Sequence, residues 1–100
     1  MKMWLDDMRK PPKDFVWVKT AKEAIGWIDQ GIVEFIDLDH DLGEGDGTGY
    51  EVAAHIEAMA WEGRLKPMGW AVHSMNPVGA NRMRAAMVSA QKAWKEKGCK

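Results

Sequence analysis

Three short polar clusters in the chain carry residue types that chemistry uses: Asp6-Asp7, Asp39-His40-Asp41 and His73-Ser74-Met75-Asn76. Each follows directly on a short apolar run, respectively Met1 to Leu5, Val33 to Leu38 and Trp70 to Val72. Carboxylates held close together repel one another, and the usual remedies are a bound cation or a raised pKa. Oxygen ligands suit Mg²⁺, Mn²⁺ or Ca²⁺, and Mg²⁺ on one or two carboxylates is the common companion of phosphate substrates. Two histidines beside such an ion supply side chains that ordinarily titrate near neutrality, as a general acid and base pair requires. Ser74, Asn76 and the amide groups of a helix starting there would hold phosphate oxygens, because a helix N-terminus offers free N–H donors and partial positive charge. Each cluster also has a plainer reading: a solvated turn for Asp6-Asp7, a polar loop for Asp39-His40-Asp41, a core histidine for His73 and a helix cap for Asn76.

Those clusters serve one site only if the fold gathers them. Pro11-Pro12 forbids a helix after the first run, and Phe15 to Val18 reads as a second strand. Thr20 and Glu23 have capping-box spacing, and Ala24, Ile25, Trp27 and Ile28 make an apolar stripe that stops near Gly31. Val33 to Leu38 is apolar apart from Glu34 and Asp37, as in a strand buried on both faces. Asp39 to Gly47 is too glycine-rich to be anything but a loop. Thr48 and Glu51 form a second capping box ahead of Val52, Ala53, Ile56, Met59 and Ala60, with His55 at the edge of that face as a structural residue. Trp70 to Val72 is the fourth strand, and Asn76-Pro77 opens a last helix through about Lys95. Strands alternating with helices predict a mostly parallel sheet with one crossover helix missing, after the first strand. In such a sheet ligands bind beyond the carboxyl ends of the strands, which is where all three polar clusters fall.

Composition narrows the functions. One hundred residues with 46% hydrophobic and 29% charged content describe a single globular domain over residues 1–100. A chain of this size buries roughly 65% of its unfolded surface, so the core must be dense, and six Trp and eight Met supply bulk for it. A net charge of -1 provides no global basic field for a long nucleic-acid duplex. The single cysteine, Cys99, excludes an internal disulfide and a Cys-based zinc site, which fits a cytoplasmic protein. No apolar run approaches the ~20 residues of a membrane span. Lys92, Lys95, Lys97 and Lys100 read as a solvated helix end. Asp37, Asp39 and Asp41 imitate an EF-hand loop, but Leu42 stands where Gly is needed and Thr48 where Glu is needed.

The segments Leu5-Asp6-Asp7-Met8-Arg9-Lys10-Pro11-Pro12, Leu38-Asp39-His40-Asp41-Leu42-Gly43, Thr48-Gly49-Tyr50 and His73-Ser74-Met75-Asn76-Pro77-Val78-Gly79 resemble the cyclic-phosphate processing receiver-like domains of bacteria and phages. The resemblance implies an α/β fold: a reduced receiver-like (flavodoxin-like) three-layer sandwich with a mostly parallel four-stranded sheet and about three helices. It also implies that Asp6 and Asp7 match an acidic metal pair, that Asp39 matches the phosphoacceptor position, and that the role is processing of cyclic or terminal phosphates on RNA or nucleotides. An ordinary receiver has a fifth strand carrying a lysine and lacks the counterparts of His40 and His73, which argues against phosphorelay signalling. Ala80 stands where this group suggests a basic residue, leaving Arg9 or Arg82 to grip phosphate.

The resulting expectation is a metal-dependent phosphoesterase of the cyclic phosphodiesterase type. Mg²⁺ or Mn²⁺ is held by Asp6, Asp7 and Asp39, protons are exchanged by His40 and His73 beside a catalytic Asp39, and phosphate is held by Arg9, Ser74 and Asn76. Asp41 fixes a histidine tautomer. The partner is a phosphorylated small molecule or an RNA end. The alternative is a non-catalytic receiver-like module that binds a phosphorylated ligand or a partner protein through the same face.

Overall fold

Four apolar tetrapeptides form the strands of a computed structural model that describes residues 1–43 and 45–98. Cys99 and Lys100, with the expectations placed on them, lie outside the described residues, as does Glu44. The strands are β1 (Lys2–Leu5), β2 (Phe15–Val18), β3 (Phe35–Leu38) and β4 (Gly69–Val72). All pair in parallel, in the order β2-β1-β3-β4. β3 begins two residues later than expected, although Val33 is buried.

Helices α1 (Ala21–Asp29), α2 (Gly49–Trp61) and α3 (Pro77–Glu96) start where the sequence places caps. Thr20 accepts from the Glu23 amide at 3.1 Å, Thr48 from the Glu51 amide at 3.3 Å and Asn76 from the Gly79 amide at 3.0 Å. Each cap satisfies an amide that the helix itself leaves without a partner, which is why these three positions fix the helix starts.

Strand side chains alternate between two faces, and here the faces differ in kind. Met3, Leu5, Val18, Ile36 and Leu38 are buried in one cluster with Ala24 and Ile28 of α1, Val52 and Ile56 of α2, and Met83 and Met87 of α3. Each large side chain fully buried there contributes about 2 kcal/mol. α1 packs on α2 and α2 on α3, so the helices form a single layer over this face. Lys2, Trp4, Phe15, Trp17, Phe35, Asp37, Gly69 and Ala71 point the other way. On that side the outer layer is the extended 6–14 crossover instead of a helix; Trp4 Nε1 donates to the Arg9 carbonyl across it at 2.9 Å. Four parallel strands and three helices are the arrangement expected of a receiver-like α/β fold.

The tryptophans divide between the two settings. Trp94 and Trp4 are buried, whereas Trp17 and Trp61 are exposed, with their Nε1 groups donating to the Asp6 carbonyl and to Ser89 Oγ. His55 pairs with Asp29 at 2.7 Å and ties α2 to α1. Among the described residues, no helix is long and apolar enough to cross a membrane.

Candidate metal and phosphate site

The sheet ladder continues one residue beyond three strands, and those residues are Asp6, Asp39 and His73. The Asp6 amide donates to the Val18 carbonyl (3.1 Å), the Asp39 amide to Leu5 (3.0 Å) and the His73 amide to Leu38 (2.9 Å). Their backbones are therefore fixed to neighbouring strands, and the two-residue period sends their side chains to the face opposite the helices. A carboxylate oxygen from Asp6, one from Asp39 and a ring nitrogen of His73 all lie within 4.8 Å of one another.

Asp6 is almost fully buried, at 2% exposure. Burial alone would raise its pKa, but the amides of Arg9 and Met8 donate to Oδ1 at 2.7 and 2.8 Å, and His73 Nε2 lies 2.9 Å from Oδ2. Together they hold its carboxyl below the usual aspartate value. His73 is clamped on both sides, since Nδ1 lies 2.6 Å from Asp37 Oδ1. Only a doubly protonated ring donates from both nitrogens, so the two carboxylates favour the imidazolium. Burial opposes that charge, but Asp37 and Asp6 outweigh it and the histidine pKa is raised. The ring also stacks flat on Trp4, with centroids 3.9 Å apart and planes 6° apart. Asp39 is displaced the other way: burial and the negative charge of Asp6 raise its pKa, against the His40 amide that donates to its Oδ1 at 2.9 Å.

His40 occupies a different setting. Its Nδ1 lies 2.9 Å from Asp41 Oδ1, and its ring packs against the first turn of α3, where a Cβ at Gly79 would overlap it. Behind it, α2 begins so close to Asp39 that a Cβ at Gly49 would overlap the Asp39 carbonyl oxygen. Glycine at these two positions lets both helix starts approach the β3 exit.

The cleft at this rim has a volume of about 150 Å³ and is lined by Asp6, Asp7, Met8, Arg9, Asp39, Asp41, His73 and Met75. A larger hollow of about 470 Å³ lies beside Thr20, Asp46 and Glu51, away from the convergent acids and histidines, and the chemistry argues for the smaller one. Asp7 lines the cleft with its Oδ2 toward Gly43, outside the convergent trio, while His73 joins Asp6 and Asp39 in it. Arg9 lines the cleft, whereas Arg82 stacks over Tyr50 at 4.3 Å beside a different hollow. Ser74 Oγ accepts from the Asn76 amide at 3.1 Å, and Asn76 Oδ1 caps α3, leaving its Nδ2 3.5 Å from His40 Nδ1. Asp41 lines the cleft, and His40 stands behind it.

Sequence reasoning missed Asp37 as a site residue. It was visible as a charge inside an apolar strand, two positions before Asp39 and so on the same face. Trp4, the stacking partner of His73, carried no comparable signal.

The donor set suits a divalent cation. Three ligand atoms are already gathered, two of them carboxylate oxygens whose mutual repulsion a cation would relieve. His73 would give up its Nε2 proton on ligation and keep Nδ1–H on Asp37, the carboxylate–histidine–metal order that orients ligating imidazoles.

Comparison with curated proteins found no match, and neither did comparison with solved structures. The family model for the cyclic-phosphate processing receiver domain matches residues 1–89, spanning every residue of the site. With the parallel receiver-like sheet and the acidic rim of its strands, this match shows that the chain belongs to the cyclic-phosphate processing receiver domain family.

Proposed function

We propose that the protein is a metal-dependent phosphoesterase that opens a cyclic phosphate, such as a 2′,3′-cyclic RNA end or a cyclic nucleotide. The observation that carries this reading is the convergence of Asp6, Asp39 and His73 within 4.8 Å at the strand rim. These residues would hold Mg²⁺ or Mn²⁺, and the ion would supply charge neutralisation and a more acidic bound water.

Asp41 lines the cleft and contacts His40 Nδ1, so the pair takes the proton of the attacking water. Water oxygen bonds to phosphorus, one ring P–O bond breaks, and the released ribose oxygen takes up a proton from solvent while the pair returns its own to solvent, leaving a monoester. Arg9 faces the phosphate from the cleft wall. Asp37 and Trp4 orient His73.

Incubation with Mn²⁺ or Mg²⁺ and a panel of cyclic phosphates should give monoester. Turnover should fall by about 10²-fold in His40→Ala. No product from any member, or turnover in His40→Ala and His73→Ala equal to that of the parent, would overturn the reading. One observation favours the non-catalytic alternative: Ser74 and Asn76, the phosphate holders expected from sequence, are engaged in a turn and a cap. That module would bind nucleotide with metal and release no product.

A further inference from the structure

Met8 and Met75 are the two most exposed large apolar side chains among the described residues, at 81% and 83%, and both line the acidic cleft. Single exposed apolar residues are ordinary on protein surfaces. Two that line the same charged cleft are a different matter, since a ligand whose charged end enters the cleft would meet both. Both are also rooted firmly. The Met8 amide donates to Asp6 Oδ1 at 2.8 Å, and Met75 sits within the turn closed by the Asn76 amide on Ser74 Oγ. Met8 follows β1 and Met75 follows β4, with the end of β3 between them. Their roots thus follow strands on the two sides of β3. A planar ring held by both would make a van der Waals contact of about 3.5–4 Å with each.

The size of the cleft says which part of a ligand the methionines meet. At about 150 Å³ it is well below the roughly 300–1,000 Å³ of pockets that enclose whole small molecules. It admits a charged head and leaves the remainder outside, between the two thioethers. Methionine sulfur makes favourable contacts with aromatic rings and adapts its shape to them.

We infer that Met8 and Met75 are jaws for a nucleobase, so that the ligand of the cleft is a base-bearing phosphate ester and not a bare sugar or glycerol phosphate. This rests on the phosphoesterase reading of the cleft. It goes further by assigning the side chains that select for the base.

Methionine oxidation reads the jaws without reference to turnover. The protein with Mn²⁺ is exposed to dilute hydrogen peroxide, and sulfoxide at each methionine is followed by mass spectrometry. Adenosine 2′,3′-cyclic phosphate should slow oxidation of Met8 and Met75 about fivefold or more, while glycerol 1,2-cyclic phosphate should not. In Met8→Ala/Met75→Ala, the preference for the adenosine compound over the glycerol compound should fall about tenfold, and Met8→Leu/Met75→Leu should retain most of it.

Equal protection by both compounds, or by neither, overturns the inference. So does protection that rises with protein concentration alone, which would mean that a second copy covers the methionines. The two readings fail separately. Selective protection without any monoester formed would keep the jaws and remove the phosphoesterase. Hydrolysis of the glycerol compound with an equal KM and no protection would do the reverse.

Discussion

His40 follows Asp39 at the exit of β3 and His73 follows the neighbouring β4, yet their surroundings differ. His73 has a carboxylate on each nitrogen, one of them on the buried Asp6, and lies flat on Trp4. His40 has one carboxylate, on Asp41, whose side chain is 72% exposed. The first lies between two acids, whose charge it offsets when protonated. The second is linked to water through its partner. Similar residue pairs therefore sit in different electrostatic settings, and burial of the carboxylate is what separates them.

Removing each carboxylate tests that contrast. Asp6→Ala strips His73 of one partner and leaves the amides of Met8 and Arg9 without an acceptor, so unfolding should become easier by about 3 kcal/mol. Asp41→Ala should stay within about 0.5 kcal/mol of the parent, as for exposed pairs generally. Similar costs in urea unfolding would break the distinction.

A smaller effect sharpens the His40 side. Alanine in place of a helical glycine normally stabilises by about 0.5–1 kcal/mol, and Gly26→Ala in α1, where a Cβ meets nothing, should do so. Gly79→Ala should instead destabilise by about 2 kcal/mol and move the His40 ring signals in NMR spectra, because the new methyl overlaps that ring. A stabilising Gly79→Ala would show that His40 is free to move away.

How much of this was legible in the sequence follows from where each cause lies. Caps are local, so Thr20, Thr48 and Asn76 marked their helices correctly. The parallel sheet followed from alternation, and the sheet gave the convergence of Asp6, Asp39 and His73. Pairing across the sheet is not local. That His73 and not Asp7 completes the trio depends on strand register and on which way side chains leave the last ladder residue. The Asp37–His73 contact links positions 36 apart, and a single sequence holds no sign of it beyond a charge in an apolar strand. The helix-free sheet face was half visible: the missing crossover helix was read from Pro11-Pro12, but the collection of all three helices on one side was not.

The finest test of the contrast is at Asp39, the acid between the two histidines. Burial and the charge of Asp6 raise its pKa, so its ionisation costs stability, beginning as pH rises past the ordinary 3.8 and complete above the raised value. The His73 clamp has the opposite dependence. Its contribution is whole below the ordinary 6.5 and is lost as pH rises through the raised value. Asp6 contributes above 3.8 and loses its effect as pH falls through its lowered value. Asp39→Asn keeps an acceptor for the His40 amide and removes the charge, so it should stabilise the metal-free protein near neutral pH by about 1 kcal/mol. Below 3.8 the parental carboxyl is itself protonated, and the advantage should vanish. Added Mn²⁺ should stabilise the parent and not the variant, because a cation that binds the folded state shifts unfolding by mass action. Urea curves at two pH values, with and without Mn²⁺, measure all three expectations. A destabilising Asp39→Asn in metal-free buffer would mean that the Asp39 charge supports His73 more than it opposes Asp6.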